Sequence, residues 1–307
     1  MRTFYKYMPY STLIKFLNDP CLRVTLSNCQ NDPFEFGYSS SDIEVLNRKS
    51  HSKDLGDKLK EFSKLHGIIS LTTSKDNILM WSHYADSHKG AVVEVYIDDD
   101  KPQSIFVNST GPDTPPFRYQ DFIFDKVIYG KNRRFHQIDS EENLEKIKHH
   151  YYFTKAKEWQ LEKEYRFITP MSWINRILFN EAGYNKAKKI LGNFSSSITC
   201  INPNSSNCKF YELESASITI ISIKKFELLA QLWLQSNSNE TMFFIRLNSG
   251  ITGGGGNQIG RIFLGCQANC IDFISQLKND SHEPLSIIHY GKLFKPSNWR
   301  AKKCINW

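Results

Sequence analysis

Hydrophobic positions along this chain change period several times, and each change marks an element. Thr3 to Met8 reads as a short strand carrying Tyr5, Lys6 and Tyr7, and Pro9 closes it. Tyr10 to Leu17 places Leu13, Ile14, Phe16 and Leu17 at helical spacing, with Ser11 as a cap. Cys21 to Leu26 alternates as a strand. The stretch around which the rest is arranged runs from Gly67 to Gly90. Within it Ile68 to Leu71 is apolar and β-prone, Thr72 to Asp76 supplies turn residues, and Asn77 to His88 carries a helical period that stops before Gly90. Trp81, Tyr84, Ala85 and His88 share one face of that helix, and His83 points away from it. A strand from Ala91 to Ile97 follows at once.

Further along, Ser39 to Leu65 is charged and weakly helical, and Asp98 to Pro116 has the composition of an exposed loop. Phe117 to Tyr129 resumes strand pattern, and Ser140 to Lys157 is helical with Ser140 as its cap. Trp159 to Ile168 reads as a strand with Leu161, Lys163, Tyr165 and Phe167 on one side. Gln160, Glu162, Glu164 and Arg166 fall on the other, a wholly polar face. Such a face is either exposed with an internal ion pair or the wall of a polar cleft. Beyond Thr169 the pattern gives a helix over Met171 to Leu191, a Ser- and Asn-rich loop over Asn193 to Cys208, and β-type runs over Phe210 to Leu229 and Thr241 to Leu247. Strand, helix and strand recur over Arg261 to Gly265, Asn269 to Lys278 and Leu285 to Tyr290. The elements together predict an α+β fold, a mixed sheet with flanking helices, in a single domain over 1–307.

Composition narrows the setting. A chain of 307 residues with 40% apolar content can bury a substantial core. No apolar run reaches bilayer length and the N-terminus has no apolar leader, so a soluble, cytoplasmic protein with no membrane contact is expected. Seven cysteines include no CxxC pair and lack zinc-site spacing to histidine, so reduced structural thiols are expected and no metal. A net charge of +7 permits an acidic partner such as nucleic acid or a nucleotide without requiring one. Gly253 to Gly256 lacks the Lys-Ser/Thr ending of a phosphate loop and reads as a hairpin connection.

Four motifs carry a resemblance: NDPFE from Asn31, LMWSHYADSHKG from Leu79, K-x-W-x-x-E-x-E-x-R from Lys157 to Arg166, and the late IFLG. As a set they resemble the bacterial domain-of-unknown-function family 2971, from Tyr5 to about residue 170 and again from Ile259, with about 171–257 as an insertion between core segments 1–170 and 258–300. The order of parts is more distantly similar to ADP-ribosyltransferases of the poly-ADP-ribose polymerase and diphtheria-toxin type. That resemblance implies a split sheet, with NAD as substrate and an ADP-ribose acceptor that is protein, nucleic acid or water. It implies Glu164 first and Glu162 second as the catalytic carboxylate, with Tyr84 stacking on nicotinamide. Lys6, Tyr7, Ser70, Thr72, Trp81, His88 and Arg166 are the implied cofactor-binding residues, and a toxin or antiphage-defence effector is the implied setting. Two other classes stay open: a nucleic-acid-binding or nuclease effector using His83, His88 and Glu94, and a noncatalytic nucleotide-binding scaffold.

Overall fold

A computed structural model describes residues 1–30, 32, 35–36, 40–49, 54–107, 122–130, 144–203, 209–214, 222–237, 239–248, 258–269, 287–290 and 302–305. The N-terminal half runs β1 (Arg2–Met8), α1 (Tyr10–Asn18), β2 (Cys21–Val24), α2 (Ser40–Lys49), α3 (Leu55–Leu65), β3 (His66–Thr72), α4 (Ile78–Tyr84), β4 (Ala91–Ile97), β5 (Ile123–Lys126) and β6 (Ile128–Gly130). It continues through α5 (Leu144–Phe153), β7 (Thr154–Ala156), β8 (Glu164–Pro170), β9 (Arg176–Phe179), α6 (Glu181–Leu191), β10 (Ile198–Cys200), β11 (Tyr211–Glu214), α7 (Ser222–Leu234), β12 (Thr241–Arg246), β13 (Ile259–Leu264), β14 (Ile287–Tyr290) and β15 (Lys302–Ile305). The class is α+β. No helix among the described residues is long and apolar enough to cross a membrane.

An eight-stranded sheet has the order β15-β14-β13-β4-β1-β3-β8-β5, antiparallel throughout except for the β13–β14 pair. A five-stranded sheet, β10-β11-β9-β12-β2, is built from the segment after Thr169 and completed by β2 from the N-terminal part. The strand β4 is buried at every position but Tyr96, as a central strand covered on both faces should be. β1 pairs with β4 along its whole length, yet it meets β3 only at Tyr5 opposite Thr72. The sheet therefore parts between β1 and β3.

Alternation along β3 and β8 decides what each face meets. Ile69 and Phe167 join the main core, which spans both sheets and includes Val24, Ile177, Trp233 and Phe243. Their neighbours Ile68 and Ile168 face the other way and pack with Leu59, Phe62, Ile147 and Tyr152 of α3 and α5. Continuing along that second face, Ser70 pairs with Arg166 and Thr72 with Glu164. One face is thus apolar under the helices and turns polar where they end.

Several sequence expectations are corrected. Met171 to Leu191 is not one helix, because β9 interrupts it before α6. Within Phe210 to Leu229 the run from Ser222 is helical, since its apolar residues satisfy strand and helix patterns alike and burial of Leu229, Leu232 and Trp233 selects the helix. Part of the Ser-rich loop forms β10. The helix α1 takes Pro9 as its N-cap residue, with no side-chain cap from Ser11. The glycine tract at 253–256 and the helix expected at 269–278 lie outside the described residues except for Asn269.

Candidate functional site

A cleft of about 420 Å³ lies at the parting between β1 and β3, within the range of ligand pockets. Its walls come from β1, β2, β3 and α4, and its floor from β7 and the start of β8.

Tyr84 reaches the cleft from the last position of α4. Asn77 starts that helix, its Oδ1 accepting from the backbone N–H of Leu79 at 2.9 Å and of Met80 at 3.3 Å. The helix stops at Tyr84, one turn earlier than its period suggested, because Asp86, Ser87 and His88 all take left-handed backbone at φ 49°, 49° and 69°. A Cβ at Gly90 would lie 2.3 Å from the Met8 carbonyl oxygen, so only glycine lets the chain pass β1 there.

Glu162 comes from the opposite direction. Lys157–Glu162 is a 3-10 turn rather than strand, and Lys163 follows it in left-handed conformation at φ 46°. The polar strand therefore begins only at Glu164, and Gln160 and Glu162 do not share its face. Glu164 and Arg166 do. Of the two settings left open for that face, the structure shows a buried one: Glu162, Glu164 and Arg166 are 8%, 5% and 0% exposed.

The phenol of Tyr84 donates to Glu162 Oε1 at 2.7 Å, and Lys155 Nζ donates to Glu162 Oε2 at 2.7 Å and to Glu164 Oε2 at 2.9 Å. Arg166 donates to both oxygens of Glu164, at 2.8 and 2.9 Å, to the Tyr152 carbonyl at 2.6 Å, and to Glu35. Burial opposes the charge on Glu164, but Arg166 and Lys155 outweigh it and hold the carboxyl well below the usual range. For Lys155 burial is likewise overcome, here by Glu164 and Glu35, which hold the ammonium firmly protonated. Glu35, Glu162 and Glu164 thus share the two cations Lys155 and Arg166 in one buried network.

The other expected residues divide. Tyr7 and Lys6 line the cleft; the Tyr7 phenol donates to the Ser74 carbonyl at 3.0 Å and Lys6 Nζ donates to the Ser70 carbonyl at 2.8 Å. Ser70 also contributes a side-chain hydrogen bond to Glu164. Thr72 lines the cleft while its hydroxyl donates to the Glu162 carbonyl at 2.6 Å, which ties the 3-10 turn to β3. Trp81 is a core residue: it is buried, packs edge-on to Tyr7, and donates from its indole to the Lys75 carbonyl at 2.9 Å. His88 stacks on Trp81 with centroids 6.5 Å apart and does not line the cleft. His83 does line it, against the expectation that it points away, because the cleft meets the flank of α4 that carries Met80, His83 and Tyr84. Glu94 is held by Arg261 through bonds of 2.8 to 3.0 Å, and of His83, His88 and Glu94 the cleft is lined by His83 alone.

Glu35 and Lys155 belong to the site and escaped the sequence reading. Glu35 stands in the acidic NDPFE turn, where turn geometry alone accounts for its composition. Lys155 had no local signal, since a lysine at the end of a charged helix usually meets solvent.

A family model described as a protein of unknown function (DUF2971) matches residues 80–167, bearing out that resemblance over a shorter stretch than the motifs suggested. No curated protein and no solved structure matches the chain.

Proposed function

We propose, starting from a DUF2971 segment that runs from α4 into β8 and so includes Tyr84, Lys155, Glu162, Glu164 and Arg166, that this protein cleaves the nicotinamide–ribose bond of NAD. ADP-ribose passes to a macromolecule or to water, and an ADP-ribosyltransferase-like fold is part of the proposal, as is the role of an NAD-consuming effector. The observation that carries it is the Glu162 carboxylate, held in place by Tyr84 and Lys155, in a cleft that the rings of Tyr5, Tyr7 and Tyr84 also line. Loss of nicotinamide builds positive charge on the ribose, and a carboxylate fixed in place stabilises it without reorganising.

In this reading Glu162 takes the role first expected of Glu164. Both oxygens of Glu164 are occupied by Arg166 and Lys155, so it acts as a structural counter-charge. Tyr84 and Lys155 orient Glu162, and the aromatic rings offer stacking surface to the base. Arg166, fully buried and committed to Glu164 and Glu35, orients the acids and does not reach a pyrophosphate.

Incubating the purified protein with NAD and following free nicotinamide tests this. Glu162→Gln is expected to slow release about 100-fold, a typical loss for one preorganised electrostatic group. Release by Glu162→Gln at the wild-type rate would sink the assignment. A noncatalytic nucleotide-binding cleft is the second reading, favoured by both Glu162 oxygens already holding hydrogen bonds. It predicts NAD binding without nicotinamide release when candidate protein and RNA acceptors are supplied.

A further inference from the structure

Two lysines line the cleft, and their surroundings differ. Lys155 on the floor has three carboxylates within 4.0 Å, which keep it an ammonium. Lys6 is half-buried on β1, on the same side of the strand as Phe4 and Met8, both of which belong to the main core. Among the described residues its one hydrogen-bond partner is a neutral group, the Ser70 carbonyl at 2.8 Å from Nζ, and no carboxylate comes within 4.0 Å. The charge of Glu164 on β8 still reaches it and favours the ammonium, while Arg23 of β2 opposes the ammonium more weakly. Burial outweighs Glu164 and leaves the amine at about 8. About one molecule in ten therefore carries a neutral Lys6 at pH 7, against roughly one in 2500 for an ordinary lysine. Only the neutral amine has a lone pair with which to attack carbon.

We infer that Lys6 is a carbonyl-capturing amine, which takes the aldehyde of an open-chain sugar into the cleft as an imine. The cleft, at about 420 Å³, has room for such a ligand beside the lysine. The lone pair of Nζ forms a bond to the aldehyde carbon, and the π pair of the carbonyl moves to its oxygen. Nitrogen then gives up its two protons, which reach that oxygen by way of solvent, and the carbon–oxygen bond breaks to release water. Amine and aldehyde thus become imine and water, with no oxidant or reductant. Uptake of a proton by the imine restores one N–H, which the Ser70 carbonyl is placed to accept, and the charge of Glu164 favours that iminium. Transfer of ADP-ribose to water supplies one such sugar, since the released ribose opens to an aldehyde. The inference rests on the proposed reaction for this choice of sugar alone.

Incubating the full chain with ADP-ribose and cyanoborohydride at pH 7 reduces any imine to a stable secondary amine, and peptide mass mapping finds the lysine that carries it. Lys6 is expected to be labelled at least tenfold faster than Lys101 and Lys209, two exposed lysines that do not line the cleft. The preference should vanish in the chain unfolded by urea, and Lys6→Arg should remove the fast label while leaving that on Lys101 unchanged. Labelling of Lys6 no faster than that of Lys101 overturns the inference, and so does a preference that survives unfolding. Both are read on wild type, so they decide the matter even if Lys6→Arg does not fold. Fast labelling of Lys6 in a protein that releases no nicotinamide from NAD supports the inference and counts against the reaction alone. Nicotinamide release with Lys6 unlabelled does the reverse.

Discussion

Glu162 and Glu164 share Lys155 as a partner, and their surroundings give them different work. Glu164 is closed in by Arg166, Lys155 and Ser70, whereas Glu162 meets the cleft beside Tyr84. Lys6 shows the opposite case, a cation whose surroundings weaken its charge. Burial, against the pull of Glu164 from β8 and with a smaller push from Arg23 of β2, brings its amine down to about 8. The sign follows directly: the ammonium is present below that value and lost above it, so the folded protein binds fewer protons than the unfolded chain between about pH 8 and the ordinary lysine value. From the sequence, Lys6 is visible only as a polar interruption of a strand. Its lowered basicity comes from burial and from Arg23 of β2, against the opposing charge of Glu164 of β8, neighbours well removed from it in the chain.

At the scale of elements, the site depends on two short pieces stopping where they do. The 3-10 turn ends at Glu162 with left-handed Lys163, and α4 ends at Tyr84 ahead of three left-handed residues. Asn77 links them, capping α4 while its Nδ2 donates to the Leu161 carbonyl in the turn at 2.5 Å. Asn77→Ala should cost about 1 kcal/mol of stability through the lost cap. Because it also frees the turn, it should lower nicotinamide release in a folded protein, whereas Asn77→Asp should restore the cap and not the bond to Leu161. Chemical denaturation and the NAD assay on both variants separate the two effects. Helical spacing singled out Tyr84, which lines the cleft, and strand alternation placed Glu164 beside Arg166. The same alternation misplaced Glu162, since a 3-10 turn with two carboxylates and a lysine has no period distinct from a polar strand edge. His83 was set aside for a related reason: the period specifies which residues share a helix flank, and the cleft meets a flank that keeps Tyr84 but replaces Trp81 and His88 with Met80 and His83.

Across the whole molecule, the two sheets are joined through the main core, and Trp233 is its largest fully buried side chain. Its ring lies 4.7 Å from Phe243, and its indole donates to the Lys64 carbonyl at 2.9 Å. A Cβ on Gly67 would come within 2.6 Å of that ring, so the strand that carries Ser70 and Thr72 is glycine where Trp233 crosses it. Trp233→Ala should cost about 3–5 kcal/mol, read as a lower denaturant midpoint, through the cavity and the unpaired Lys64 carbonyl. A loss near 1 kcal/mol would mean that the second sheet stands independently of β3. Local pattern in the sequence determined the class of fold, the central strands β1, β3, β4 and β8, and the candidates Tyr84, Glu162 and Glu164, because side-chain period and turn chemistry act over a few residues. Tertiary structure alone decided that β1 and β3 part, that Glu35 and Lys155 close the carboxylate cluster, and that Arg23 enters the cleft from another sheet. Those outcomes depend on burial and on charges brought together across long separations in the chain, and no local period records them.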